Sequence, residues 1–185
     1  MGVLQPLLKE QLYTVDNIYA LPDGERAELI DGVMYDMSTP STQHQRVVHY
    51  LDRTVGNYIA EHKEKCEVFP APFAVFLNQD DYNYFEPDIT VVCDSSKLDD
   101  KGCHGAPDWI IEVVSPSSRS MDYIKKMFKY RNAGVLEYWI VDPEKDSVTV
   151  YDFKGEGGGS YSMSDVIPVG IYDGDLQIDF AELKV

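Results

Sequence analysis

The amino-acid sequence predicts a mixed α/β (α+β) domain, a β-sheet of mixed strand direction flanked by helices. Three observations carry this. A tight hairpin signal precedes a long segment of helical spacing. Short apolar runs bounded by turn residues follow in the middle of the chain. A helical segment then joins two of those runs, and strand–helix–strand units usually place their strands parallel.

Residues 1–20 read as a weakly patterned N-terminal arm with a short helix near Leu7–Leu12. Ala27-Glu28-Leu29-Ile30 and Val33-Met34-Tyr35-Asp36-Met37 flank Asp31-Gly32, a two-residue hairpin signal. Ser38-Thr39-Pro40-Ser41-Thr42 supplies helix-start chemistry. From Gln43 to Lys63, Val47, Val48, Leu51, Val55, Tyr58 and Ile59 fall at helical spacing. Glu67–Leu77 reads as one or two strands interrupted by Pro70 and Pro72. Asn78–Phe85 reads as a polar loop, Asp88–Cys93 and Asp108–Val114 as strands, and Asp94–Pro107 as a charged loop between them. Ser118–Asn132 reads as a helix with Met121, Ile124, Met127 and Phe128 on its apolar side, ended by Gly134. Val135–Val141 is a buried strand stopped by Asp142-Pro143, and Ser147–Phe153 pairs with it. Gly155–Gly159 is a turn, and short strands near Val166–Ile167 and Leu176–Ile178 finish the chain. No internal repeat or linker divides it, so residues 1–185 are expected to form a single domain.

Composition bounds the function. With 44% hydrophobic and 26% charged residues the chain belongs with ordinary globular proteins. No apolar stretch nears the roughly 18 residues of a membrane span. Met1-Gly2-Val3-Leu4-Gln5-Pro6 lacks the basic flank and apolar core of a signal peptide, and Pro6 stands where a myristoylation motif wants Ser or Thr. Cys66, Cys93 and Cys103 form no close pair, and an odd count without CxxC spacing points to a reducing, cytoplasmic compartment. Cys93 and Cys103-His104 have the wrong spacing for a zinc site and read as buried or loop thiols. The net charge of −16 opposes a simple nucleic-acid binder, although Arg119, Lys125, Lys126, Lys129 and Arg131 cluster locally.

The chemistry-bearing residues are a split acidic pair and a later lysine. Asp88 opens one apolar run and Glu112 sits inside another, where a carboxylate costs free energy unless compensated. If the two strands pair antiparallel, the carboxylates converge at one end of the sheet. Two carboxylates, the backbone carbonyl of Val113 and a phosphate oxygen would suffice for magnesium, which keeps several waters. Lys126, on one helical face with Asp122 and Tyr130, is the candidate for orienting water and stabilising transition-state charge. Each residue also has a plainer reading. Asp122 and Lys126 fit a surface ion pair at i, i+4. Glu112 fits a satisfied buried carboxylate, and Asp88 a turn residue after proline.

The stretch from Glu86 to Asp142 resembles the Uma family of restriction endonucleases, within the PD-(D/E)XK nuclease superfamily. The matching text is Pro87-Asp88-Ile89; Lys101-Gly102-Cys103-His104-Gly105-Ala106-Pro107-Asp108; Glu112-Val113-Val114-Ser115-Pro116-Ser117-Ser118; Asp122 with Lys126; and Ala133-Gly134-Val135, Glu137-Tyr138-Trp139 and Val141-Asp142-Pro143. Glu28-Leu29-Ile30-Asp31-Gly32 and the segment from Ser38 to His44-Gln45 match as well. The resemblance implies a restriction-endonuclease-like mixed sheet flanked by helices, with Asp88 as the first motif acid and Glu112 as the second. The superfamily lysine normally lies two residues after the second acid. Val114 stands there, so the resemblance moves that role to Lys126 on the following helix. It also implies Glu28 and His44 as accessory positions, as a ligand or supporting contact, with Asp122 and Tyr130 beside Lys126.

The resulting expectation is an Mg2+- or Mn2+-dependent endonuclease that hydrolyses phosphodiester bonds in DNA, with no membrane partner. A homodimer would suit cutting both strands of a duplex. The rival is a catalytically weak or inactive nuclease-fold module that binds nucleic acid or protein. A small-molecule metal hydrolase would use the same carboxylates in an enclosed pocket.

Overall fold

The computed structural model describes residues 12–78, 80–115, 121–155 and 157–183. Its first helix, α1 (Val15–Tyr19), follows Thr14, which brackets its start together with Asn17. The helix expected near Leu7–Leu12 falls outside the described residues except for Leu12 itself, which is exposed.

Strands β1 (Ala27–Ile30) and β2 (Val33–Asp36) form the expected hairpin, with Ile30 opposite Val33. Asp31 and Gly32 both take positive φ, 51° and 76°, the geometry a two-residue turn between twisted strands requires. Helix α2 (Thr42–His62) begins at Ser41, whose hydroxyl accepts the His44 N–H, and buries Val47, Val48, Tyr50, Leu51 and Val55.

Next come β3 (Glu67–Pro70), β4 (Val75–Phe76) and β5 (Ile89–Val92). The segment expected to be a charged loop contains two short strands, β6 (Leu98–Asp99) and β7 (Gly102–His104). They pair with each other, and β7 pairs with β4 in a small separate sheet. Strands this brief leave no hydrophobic period to read. Strand β8 (Trp109–Val113) precedes a π-helical turn, Met121–Lys126, which runs into α3 (Met127–Ala133). Then follow β9 (Glu137–Asp142), β10 (Ser147–Asp152), β11 (Gly158–Ser162), β12 (Val166–Pro168) and β13 (Gln177–Asp179). Strand β11 takes up part of what reads as a glycine turn, because ladder bonds to β10 need no side chains.

The main sheet has the order β11-β10-β9-β8-β5-β3. Strands β5 and β8 pair antiparallel, β8 and β9 parallel, and β9 and β10 antiparallel, as expected. Alternation along each strand splits the core. Ile89, Val91, Trp109, Ile111, Val113, Trp139 and Val141 pack towards α2 and the C-terminal segment. Val92, Ile110, Val114, Tyr138 and Ile140 pack with Ile30 of the hairpin and Tyr130 of α3. Among the described residues no helix is long and apolar enough to cross a membrane.

Two further expectations are corrected. The apolar face assigned to the Ser118–Asn132 helix holds only in part: Met121 and Met127 pack on the core, whereas Ile124 and Phe128 are 58% and 53% exposed and Lys126 and Tyr130 are buried. The π-helical turn shifts the residues that follow around the axis, so a count at 3.6 residues per turn misplaces them. The start of this helix, including Ser118 and Arg119, lies outside the described residues. Secondly, Cys66 and Cys93 are joined in a disulfide. Strands β3 and β5 pair with Glu67 opposite Val92, so the next positions outward face each other. That pairing removes the cysteine argument for a reducing compartment. Cys103 remains a free, buried thiol, pushed up to about 11 by burial.

Glu137 is an internal anchor. Its carboxylate accepts the Trp139 indole N–H at 2.6 Å and the backbone N–H groups of Gly170 and Ile171 at 3.1 and 2.7 Å. Burial raises its pKa despite these donors. The folded state therefore holds the Glu137 proton more tightly than the unfolded chain does. The stability this contributes is present below the ordinary glutamate value of 4.5 and is lost as pH rises through the higher folded value. Denaturant titrations across this window should show stability falling less steeply in Glu137→Gln than in the native protein; equal slopes would count against the assignment.

Candidate active site

The β5–β8 register sets the site. Ile89 lies opposite Ile111 and Thr90 opposite Ile110. One step further along the antiparallel ladder, Asp88 comes opposite Glu112, and cross-strand partners project to the same face. The Val113 N–H donates to Asp88 Oδ2 at 2.8 Å, which fixes that carboxylate against β8. His44, in the first turn of α2, places Nε2 3.1 Å from the same oxygen. Both of these side-chain contacts of Asp88 fall on Oδ2.

Glu112 faces the hairpin and α3. Its Oε1 accepts from Lys126 Nζ and from the Tyr130 hydroxyl, each at 2.9 Å. Lys126 also reaches Glu28 Oε2 at 2.8 Å. Glu28, Glu112 and Lys126 are 5%, 4% and 5% exposed, so the ammonium lies between two buried carboxylates. At that burial the ammonium is not a solvated surface charge; the side chain of Asp122 lies outside the described residues. The neighbouring lysines turn to the hairpin: Lys125 donates to the Tyr35 hydroxyl at 2.6 Å, and Lys129 pairs with Asp31. They tie the π-helical turn and α3 to the β1–β2 hairpin, and so hold Lys126 opposite Glu28.

A second cluster adjoins the first. The Glu86 N–H donates to Glu28 Oε1 at 3.1 Å. The Glu86 side chain accepts the Tyr84 hydroxyl on one oxygen, at 2.6 Å, and Arg26 Nε on the other, at 2.8 Å; Arg26 Nη2 bonds that second oxygen too. Burial, then the Glu86 carboxylate, raise the Tyr84 phenol. Sequence reasoning missed Arg26, Tyr84 and Glu86. The available signal was Glu86 directly before Pro87-Asp88, a second acid with no compensating charge nearby in sequence.

These groups surround one cavity of about 480 Å³. Its walls include Glu28, His44, Gln45, Asp88, Glu112, Val113 and Lys126, so the structure brings together the sequence candidates among the described residues; Tyr130 stands behind Glu112. Ser38, Thr39, Pro40 and Ser41, read as helix-start residues, form part of the rim.

The donor chemistry fits a small, hard divalent cation. Asp88 and Glu112 bring carboxylates to one cavity, and Val113 lines it beside them. Among the described residues no group of three or more His, Cys, Asp or Glu side chains is arranged to hold a metal. Hard divalent cations take carboxylate oxygens and retain water as further ligands, so two carboxylates are chemically compatible with one.

A mixed sheet flanked by helices, with acids at neighbouring strand ends around one cavity, defines a nuclease-like α/β fold. A solved structure has the same fold: a "putative nuclease belonging to DUF820 from Anabaena variabilis ATCC 29413", 21% identical, with a TM-score of 0.72 over 92% of this chain and 96% of that one. No curated protein matches. The chain belongs to the Uma2 family, described as "Putative restriction endonuclease", whose model matches residues 11–170.

Removing Lys126 leaves two buried carboxylates facing each other. Lys126→Met should therefore lower stability by about 3–5 kcal/mol, far more than the loss of a surface pair. Adding Glu28→Gln should restore part of it. Thermal or urea unfolding reads both effects, and a loss within a few tenths of a kcal/mol would show that the ammonium is solvated.

Proposed function

We propose that this protein is a metal-dependent endonuclease that hydrolyses phosphodiester bonds in DNA, with Asp88, Glu112 and Lys126 as its central residues. The observation that carries this reading is the placement of Asp88 and Glu112 across one ladder, on one face, beside a buried lysine and within one cavity. Family membership supports the nuclease class.

Asp88, Glu112 and the Val113 carbonyl would hold Mg2+ or Mn2+, with His44 and Glu28 in supporting positions. When bound, the ion supplies Lewis-acid chemistry and compensates the two carboxylates. The chain's own residues do the rest. The Val113 N–H and His44 aim Asp88 into the cavity. Tyr130 steadies Glu112 from the core side. Lys126 brings a fixed positive charge to the place where negative charge develops on a phosphoryl group, and preorganised charge of this kind costs no reorganisation during reaction. Glu28 retains Lys126 through its second contact. One such site per chain serves duplex cleavage best as a homodimer, with two sites related by a twofold axis.

A binding module that has lost cleavage is the second reading, favoured by the net charge of −16. Plasmid, linear duplex and RNA incubated with and without magnesium or manganese separate the two. The expected result is metal-dependent DNA cleavage that Asp88→Asn and Glu112→Gln abolish and Lys126→Ala lowers on the order of a hundredfold or more. The thermal midpoint of the native protein should rise with millimolar metal, and this rise should disappear in Glu112→Gln. Binding without cleavage under every metal condition would select the module; cleavage undiminished in Asp88→Asn would overturn the site.

A further inference from the structure

We propose that Arg26 receives a phosphate group of the substrate at this cavity, an inference that rests on the phosphodiesterase reading above. The cavity is acidic. Glu28, Asp36, Glu86, Asp88, Glu112 and Glu144 line it, against the cations Arg26 and Lys126. A nucleic-acid phosphate entering such a space needs an accessible positive partner besides any bound metal ion.

Lys126 is poorly placed to be that partner for an incoming group. Its side chain is 7% exposed, and its ammonium already faces Glu28 and Glu112 at 2.8 and 2.9 Å. Arg26 differs on both counts. Its side chain is 39% exposed and lines the same cavity. Its Nε and Nη2 both contact a single oxygen of Glu86. A guanidinium has five N–H groups, so this pairing occupies a minority of its donors.

The mount is rigid. Glu86 is buried, and Tyr84 holds its other oxygen at 2.6 Å. Much of the arginine's rotamer freedom is therefore surrendered in the folded protein, before substrate arrives. The backbone aims it as well. The Met37 N–H donates to the Arg26 carbonyl at 2.9 Å, which extends the β1–β2 ladder by one pair. Arg26 and Glu28 then lie two apart on one strand and share a face. The same hairpin face thus carries the support of Lys126 and the cation offered to the substrate.

The plainer role for Arg26 is neutralisation of Glu86. A lysine could supply that charge, but it lacks the planar fork that meets two phosphate oxygens at once. Arg26→Lys separates the two roles, and Arg26→Gln removes the charge.

The test measures fluorescence anisotropy of a labelled double-stranded DNA oligonucleotide across a salt series, with magnesium, in an Asp88→Asn background that prevents hydrolysis. It runs beside cleavage kinetics with Asp88 intact. Both Arg26 variants should bind roughly tenfold more weakly. Arg26→Gln should also reduce the magnitude of the salt slope by about 0.9, the share of one phosphate contact. In cleavage, Arg26→Lys should raise KM with kcat held, while its thermal midpoint stays at the native value. If Arg26→Gln fails to fold, Arg26→Lys carries the comparison. Native cleavage together with undiminished affinity and KM in Arg26→Lys overturns the Arg26 assignment alone. If the Asp88→Asn protein does not bind the DNA and the native protein does not cut it, the nuclease reading falls, and this inference falls with it.

Discussion

The Lys126 ammonium, shared by Glu28 and Glu112, is the interaction on which the arrangement of this molecule turns. It joins three separate pieces of chain: the N-terminal hairpin, a central sheet strand and the helix after that strand. Two carboxylates at such burial would be costly alone, and the lysine offsets both. The surroundings repeat the same connection outside the core. Lys129 meets Asp31 and Lys125 meets Tyr35, so three lysines within five positions attach one helix to one hairpin. Lys125, Lys126 and Lys129, which read in sequence as part of a nucleic-acid patch, are thus engaged internally.

This bears on the acidity of the chain. The negative charge is not kept away from the cavity but concentrated in it, and each buried acid there has a named partner. Glu86 has Arg26 and Tyr84, Glu112 has Lys126 and Tyr130, and Glu28 has Lys126 and the Glu86 N–H. Asp88 is the exception in kind: its hydrogen bonds come from a backbone N–H and a histidine rather than from a lysine or arginine.

Much of the sheet was legible in the sequence, and so was the acidic pair. Apolar runs of five or six residues bounded by Pro, Gly and Asp identify β5, β8 and β9, and the short crossover identifies which pair is parallel. Placing Asp88 and Glu112 together needed one assumption about strand direction. The helix after β8 was legible as a helix but not in its orientation. Its exposed Ile124 and Phe128 out-scored Lys126 as inward residues on hydrophobicity, and the lysine turns inward because Glu28 and Glu112 wait there. Arg26 and Glu86 were invisible for a related reason: their pairing spans sixty positions and has no sequence period. The Cys66–Cys93 bond likewise depends on the strand register between β3 and β5, which spacing does not encode.

The β8 strand has neighbours on both sides, and side chains alternate faces along it. Loss or gain of a single residue between Asp88 and Glu112 within the paired segments would send one carboxylate through to the opposite face. Exchange of one apolar residue for another of similar size would not. Divergence in such a lineage is therefore constrained in counting more than in spelling. Most letters could change on this fold, provided insertions are confined to the connections between strands.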